Sequence, residues 1–221
     1  MSPIVVIAAG EMGAAVGGRL RENGAEVRTS LTGRSAKTAE RARRHGLIAL
    51  DDDAQLVADA AFVLSIAPPA EAVPLARRLA PALADSTAKP VYVDCNAVSP
   101  VTVAEVATAI ERTGCPFVDA GIIGGPPRPG TPGPKFYACG SAVERFAALR
   151  EYGLDVRTVD GQIGTASALK MAYGSITKGF TAIGAAATGC AAGIKLANRA
   201  STTGSMQRKR FIKSLQGNRP L

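Results

Sequence analysis

Short apolar runs recur along the chain, each closed by a small-residue or polar turn and followed by a longer, mixed stretch. Ile4 to Ile7 is the first, a β-branched run that predicts a buried strand. A helix is expected from Glu11 to Leu20, then strands at Ala25–Leu31, Ile48–Leu50, Ala61–Ile66, Pro90–Asp94 and Phe117–Ala120. Helices over Lys37–His45, Ala70–Leu83 and Pro100–Thr113 separate them. Gly121 to Gly133 is rich in Gly and Pro and reads as a loop. Strands at Lys135–Cys139 and Val156–Val159 flank a helix over Ala142–Tyr152, and a long small-residue helix runs from Thr165 to about Ala192. Alternation of this kind predicts an α/β fold, a doubly wound and mostly parallel sheet with helices on both faces.

The turn after the first strand carries the first candidate chemistry. A dinucleotide pyrophosphate is received where a strand passes through a glycine turn into a helix, because glycine lets phosphate approach and the helix start offers free N–H groups. The usual spacing is G-x-G-x-x-G; here Ala8 holds the first place, with Gly10 and Gly13 in the second and third. The end of the second strand then discriminates between cofactors. An NAD site has Asp or Glu there to accept from the ribose 2′-OH. This chain has Thr32-Gly33-Arg34-Ser35. An arginine pairs with a 2′-phosphate that a carboxylate would repel, so the reading favours NADP over NAD.

Composition narrows the alternatives. Aromatic residues make up 5% and there is no Trp, so the core must be built from Ala, Val, Ile and Leu, as suits a parallel sheet. The net charge of +8 is uneven: seven basic and no acidic residues lie between Lys195 and Leu221, leaving 19 basic against 18 acidic in the body. A solvated basic tail is the favoured reading of that end over a nucleic-acid-binding module. Four cysteines, Cys95, Cys115, Cys139 and Cys190, form no C-x-x-C pair, which suits reduced thiols and a cytoplasmic location. The single histidine, His45, argues against a zinc site or a Ser-His-Asp triad. No basic leader precedes the first apolar run, and no long apolar stretch free of charge predicts a membrane span.

Five motifs in order now resemble those of the β-hydroxyacid dehydrogenases, the group that includes 6-phosphogluconate and 3-hydroxyisobutyrate dehydrogenases. Gly10-Glu11-Met12-Gly13 is similar to the family's G-x-M-G, and Ser65-Ile66-Ala67-Pro68-Pro69 to its fourth-strand exit. Asp94-Cys95-Asn96-Ala97-Val98-Ser99-Pro100 resembles D-x-N-x-x-S-P, whose Asn lies near the nicotinamide ribose. Asp119 to Gly125 resembles the substrate loop D-A-P-V-S-G-G. Gly161-Gln162-Ile163-Gly164 followed by Lys170 resembles G-x-x-G-x-x-x-x-x-K, whose lysine is catalytic. The resemblance thus implies Lys170 as the catalytic group. It implies Gly10, Glu11, Met12, Gly13, Ala67, Pro68 and Asn96 on the cofactor, joined by Arg34 and Ser35. Ile123, Gly124 and Gly125 would lie on the substrate, with Lys178, two turns beyond Lys170, as a further substrate contact.

Two departures stand out. Ile123 replaces a serine that helps hold the substrate, and Tyr173 and Gly174 stand where two asparagines commonly follow the lysine. Imine reductases share the fold but usually lack the lysine, so Lys170 favours alcohol–carbonyl chemistry. In the family the long helix leaves the nucleotide domain and begins an all-helical domain that forms a dimer. The expected organisation is an NADP-binding Rossmann domain over 1–163, an inter-domain helix over 164–194 that starts a truncated helical domain, and a basic tail over 195–221. The expected activity is hydride transfer between NADP and a hydroxy acid or related carbonyl compound. The alternative is a cofactor-binding interaction protein with little chemistry.

Overall fold

A computed structural model describes residues 2–193. The predicted basic tail therefore lies outside the described residues, as does the Cys190 side chain. The fold separates into two compact units, Met1–Ala172 and Tyr173–Leu221.

The first unit is a doubly wound sheet. Its strands are β1 (Ile4–Ile7), β2 (Val27–Thr29), β3 (Ile48–Ala49), β4 (Phe62–Ser65), β5 (Val91–Asp94), β6 (Phe117–Ile123), β7 (Lys135–Cys139) and β8 (Asp155–Thr158). They lie in the order β3-β2-β1-β4-β5-β6-β7-β8. All neighbours are parallel except β6 and β7. The helices are α1 (Glu11–Glu22), α2 (Ala36–Arg44), α3 (Asp53–Val57), α4 (Ala72–Asp85), α5 (Pro100–Glu111), α6 (Val143–Ala147) and α7 (Thr165–Gly193).

β1 shows why an unbroken apolar run was the correct signal. Ile4 and Val6 face one core with Val16, Leu20 and Phe146. Val5 and Ile7 face the other with Leu79, Val106 and Ile110. A strand buried on both faces needs no polar alternation, and each such side chain contributes about 1.5–3 kcal/mol on burial. Cys95, Cys115 and Cys139 are buried and unpaired.

Three local expectations change. β6 continues through Ile123 instead of ending at Ala120. Gly121, Ile122 and Ile123 pair antiparallel with Tyr137, Phe136 and Lys135 of the expected strand β7, a pairing that local composition does not reveal. The loop proper begins at Gly124. A short helix, α3, is added where no helix was expected. Asp52 caps it by accepting from the Gln55 N–H at 2.8 Å, and it buries Leu56 and Val57. The expected helix over Ala142–Tyr152 is α6 followed by a 3-10 turn, Ala148–Tyr152, closed by Gly153 at φ 82°.

In the second unit the described residues continue α7. Tyr173, Ile176, Phe180 and Ile183 are exposed along it. Thr177 and Thr181 return their hydroxyls to the carbonyls of Tyr173 and Thr177, each at 2.9 Å.

Candidate functional site

Because β1, β2, β4, β5 and β6 are parallel, the segments that follow them gather along one edge of the sheet. The chain order reverses between β1 and β4, and open α/β sheets bind ligands at such a point. Most sequence-predicted residues of the first unit meet there: Gly10 to Gly13, Arg34 and Ser35, Ala67 and Pro68, Asn96, and Ile123 to Gly125.

The two glycines of the first turn play different parts. A Cβ on Gly13 would collide with the carbonyl oxygen of Ala8, so α1 can leave the turn at this angle only with glycine there. A Cβ on Gly10 would meet nothing within 4 Å. Gly10 is the N-cap of α1 at φ −65°, a conformation open to any residue, and no side chain caps the helix. α2 and α5 begin at the same edge, and Ser35 and Ser99 cap them by accepting from Thr38 and Thr102. Uncapped N–H groups beside open space fit a pyrophosphate.

Next to it, the backbone N–H of Arg34 donates to the Leu31 carbonyl at 2.9 Å, closing the turn after β2. The half-buried Arg34 side chain makes no hydrogen bond or ion pair with any described residue. The Ser35 hydroxyl is engaged as the α2 cap and also hydrogen-bonds the Thr38 hydroxyl at 3.1 Å. This pair fits a 2′-phosphate through a guanidinium and a helix start.

Asn96 is a clamp between strand ends. It is buried; its Oδ1 accepts from the Ala67 N–H at 2.7 Å, and its Nδ2 donates to Ser65 Oγ at 2.8 Å and Asp94 Oδ2 at 3.1 Å. Its backbone N–H donates to Asp94 Oδ1 at 2.8 Å. The Ala67–Pro68 exit of β4 is thereby tied to the end of β5. Burial pushes the Asp94 carboxyl up to about 6, against the lowering effect of the Asn96 hydrogen bonds and with a contribution from the charge of Asp119. A folded value above the unfolded one, about 3.9, means that the folded state holds the proton more tightly. The stabilisation is full below pH 4 and is lost as pH rises through about 6. Denaturant titrations at pH 4 and pH 7 are expected to show Asp94→Asn weakening this dependence by about 2 kcal/mol; an unchanged difference would remove Asp94 as its source.

Lys170 is seated by β6. Its Nζ donates to the Ile122 carbonyl oxygen. A Cβ on Gly121 would stand 2.9 Å from Lys170 Cβ and 3.0 Å from the Ala166 oxygen, so glycine here lets α7 lie directly against the strand. Two residues earlier, Asp119 is fully buried and holds the start of the same helix. Its carboxylate accepts from Gly164 N at 2.9 Å, Ser167 N at 3.1 Å and Ser167 Oγ at 2.7 Å. Asp119, Gly121 and Ile122 thus fix the height and depth at which α7 presents Lys170. The motif containing Asp119 was visible in the sequence, but its helix-anchoring contact was not. Lys178 is exposed and belongs to the second unit. Among the described residues no group of three His, Cys, Asp or Glu side chains is placed to hold a metal ion, and no helix is long and apolar enough to cross a membrane.

Residues 3–151 match the family model of the NAD binding domain of 6-phosphogluconate dehydrogenase. An uncharacterized 28.5 kDa protein of Methanothermus fervidus is 31% identical over 158 residues, covering 72% of this chain and 59% of that protein. The chain therefore spans about 59% of the length of that relative. A conserved protein of unknown function, whose structure is described as similar to 3-hydroxyacid dehydrogenases, is 32% identical with a TM-score of 0.70 over 97% of this chain and 80% of its own. The 3-hydroxyisobutyrate dehydrogenase of Mycobacterium tuberculosis, solved with L-serine, shares the fold at 24% identity and a TM-score of 0.68, over 80% of this chain and 60% of its own. With its glycine turn and strand order, the chain belongs to the 6-phosphogluconate dehydrogenase family of β-hydroxyacid dehydrogenases and carries that family's nucleotide-binding domain.

Proposed function

We propose that the protein is an NADP-dependent oxidoreductase that moves hydride between the nicotinamide and a hydroxy acid or a related alcohol or carbonyl compound. The observation that carries this reading is the seating of Lys170 against the end of β6, at the edge where the uncapped start of α1 faces open space. The cofactor, when bound, supplies the hydride acceptor or donor. The protein supplies the rest. Gly10 leaves room for the pyrophosphate, and the N–H groups of Glu11, Met12 and Gly13 point toward it. Arg34 and Ser35 hold the 2′-phosphate. Asn96 fixes the Ala67–Pro68 turn beside the nicotinamide ribose. Lys170 takes the hydroxyl proton as hydride leaves the substrate carbon, or returns it in the reductive direction. Gly124 and Gly125 form the substrate loop. Ile123 offers an apolar surface in place of a hydroxyl, and Lys178 adds a cationic contact.

On this reading 1–163 is the nucleotide domain, and the helix beyond it opens a second, helical domain. The exposed Tyr173, Ile176, Phe180 and Ile183 favour a homodimer formed through α7. The buried free thiols suit the reducing cytoplasm. Fluorescence titration with NADPH and NADH in parallel tests the cofactor reading, with tight NADPH and weak NADH binding expected. Arg34→Ala is expected to weaken NADPH about 10- to 100-fold, the worth of a charge-assisted hydrogen bond pair, and to leave NADH unchanged. Equal loss for both nucleotides would reject the 2′-phosphate assignment. A chain that binds NADPH but turns over no hydroxy acid or carbonyl compound would instead be the binding protein of the alternative reading.

A further inference from the structure

A second concave surface lies on the α1–α2 side of the sheet. It is a cleft of about 440 Å³ lined by Glu11 and Ala15 of α1, Arg41, Arg44 and His45 at the end of α2, and Pro126, Pro127 and Arg128 of the loop after β6. That volume is in the range of small-molecule sites.

Three arginines from two separate elements line this one cleft. Elsewhere among the described residues Arg28, Arg43, Arg77, Arg78 and Arg157 are each ion-paired, while Arg34, Arg112 and Arg145 are not. The Arg41, Arg44 and Arg128 side chains make no hydrogen bond or ion pair with any described residue. Basic residues in the last turn of α2 complement its dipole, which accounts for Arg41 and Arg44 in isolation. It does not account for Arg128, which arrives from a distant loop. That loop is built into place. Arg19 of α1 donates through Nη2 to the carbonyls of Arg128 at 3.1 Å and Thr131 at 2.9 Å, and Thr131 Oγ1 donates back to the Arg128 carbonyl at 2.9 Å. Pro126 and Pro127 stiffen the approach. His45 is seated against Gly18, where any Cβ would collide with its ring. Burial, then Arg44, push its imidazole below the ordinary value, with Arg41 adding to this and Glu22 opposing it. Against three guanidiniums the cleft sets one carboxylate, Glu11, a balance that calls for a ligand of two negative charges.

We propose that this cleft binds a phosphate dianion, free or as a monoester, held by Arg41, Arg44 and Arg128. Guanidinium forks match phosphate oxygens in pairs. The site does not include the turn carrying Arg34, it adjoins the start of α1 through Glu11, and it does not rest on the oxidoreductase reading.

The single histidine makes the test direct, since its ring proton signal in an NMR spectrum of the full chain reports this cleft alone. Inorganic phosphate and glucose 6-phosphate are titrated in parallel at constant pH, with sodium chloride at matched ionic strength as control. A saturable shift with one or both phosphates and none with chloride is expected; the tighter of the two tells free phosphate from monoester. Arg44→Ala and Arg128→Ala, both exposed side chains, are expected to weaken binding about tenfold. Arg34→Ala is expected to leave it unchanged. A shift reproduced by chloride, retained by both cleft variants, or lost in Arg34→Ala instead would overturn the proposal.

Discussion

Replacing Lys170 by alanine is expected to lower kcat by about 10²- to 10⁴-fold, the usual contribution of a positioned proton-transfer group, with NADPH affinity unchanged. The separation of the two effects follows from where the lysine sits. Its Nζ lies at the Ile122 carbonyl on β6, whereas the cofactor contacts proposed for the pyrophosphate and 2′-phosphate come from the turns after β1 and β2. Steady-state rates on the best substrate from a screen of hydroxy acids and carbonyl compounds give one readout, and NADPH fluorescence gives the other. Turnover at the wild-type rate would remove Lys170 from the chemistry. A parallel loss of NADPH affinity would show that the substitution disturbs α7 rather than proton transfer.

The second large effect separates two glycines three residues apart. Gly13→Ala places a methyl group on the Ala8 carbonyl, which is backbone at the end of a buried strand and cannot swing aside. Overpacking of this kind costs about 1–3 kcal/mol or more, so a fall in Tm of several degrees is expected, about 2–4 °C for each kcal/mol in a chain of this size. Gly10→Ala meets no protein atom and needs no unusual φ. Its Tm is expected to stay at the wild-type value while NADPH binding weakens by about tenfold or more, the penalty of a methyl group standing where a phosphate must approach. Thermal melts and nucleotide titrations of the two variants decide the matter. If Gly10→Ala binds NADPH normally, the open space beside α1 is not the pyrophosphate site.

The order in which these features could be read reflects how local their causes are. The apolar run at Ile4 to Ile7 and the glycines after it are contiguous, and so is the Asp94-Cys95-Asn96 stretch. Their elements could be assigned without a partner. The last three residues of β6 could not, since Gly121, Ile122 and Ile123 are strand only through Tyr137, Phe136 and Lys135 of β7. α3 escaped notice because five residues are too few to show a helical period; Asp52 as a cap was its one signal. Lys170 was singled out by a motif rather than by its surroundings, and a lone helical lysine otherwise reads as a solvated one.

The sequence by itself determined the doubly wound nucleotide fold, the position of the glycine turn, the arginine after β2 and the lysine on the last helix. The strands, the glycine turn and the arginine are each encoded within a window of a few residues, where periodicity and steric preference act directly on neighbours in the chain, whereas the lysine is marked only by the family resemblance of its motif. Only the tertiary structure decided that Asp119 anchors α7, that Asn96 joins the ends of β4 and β5, and that Arg128 lines one cleft with Arg41 and Arg44. These contacts join residues tens of positions apart, so they form only once the sheet has set its strand order and brought the strand ends, and the helices beside them, together.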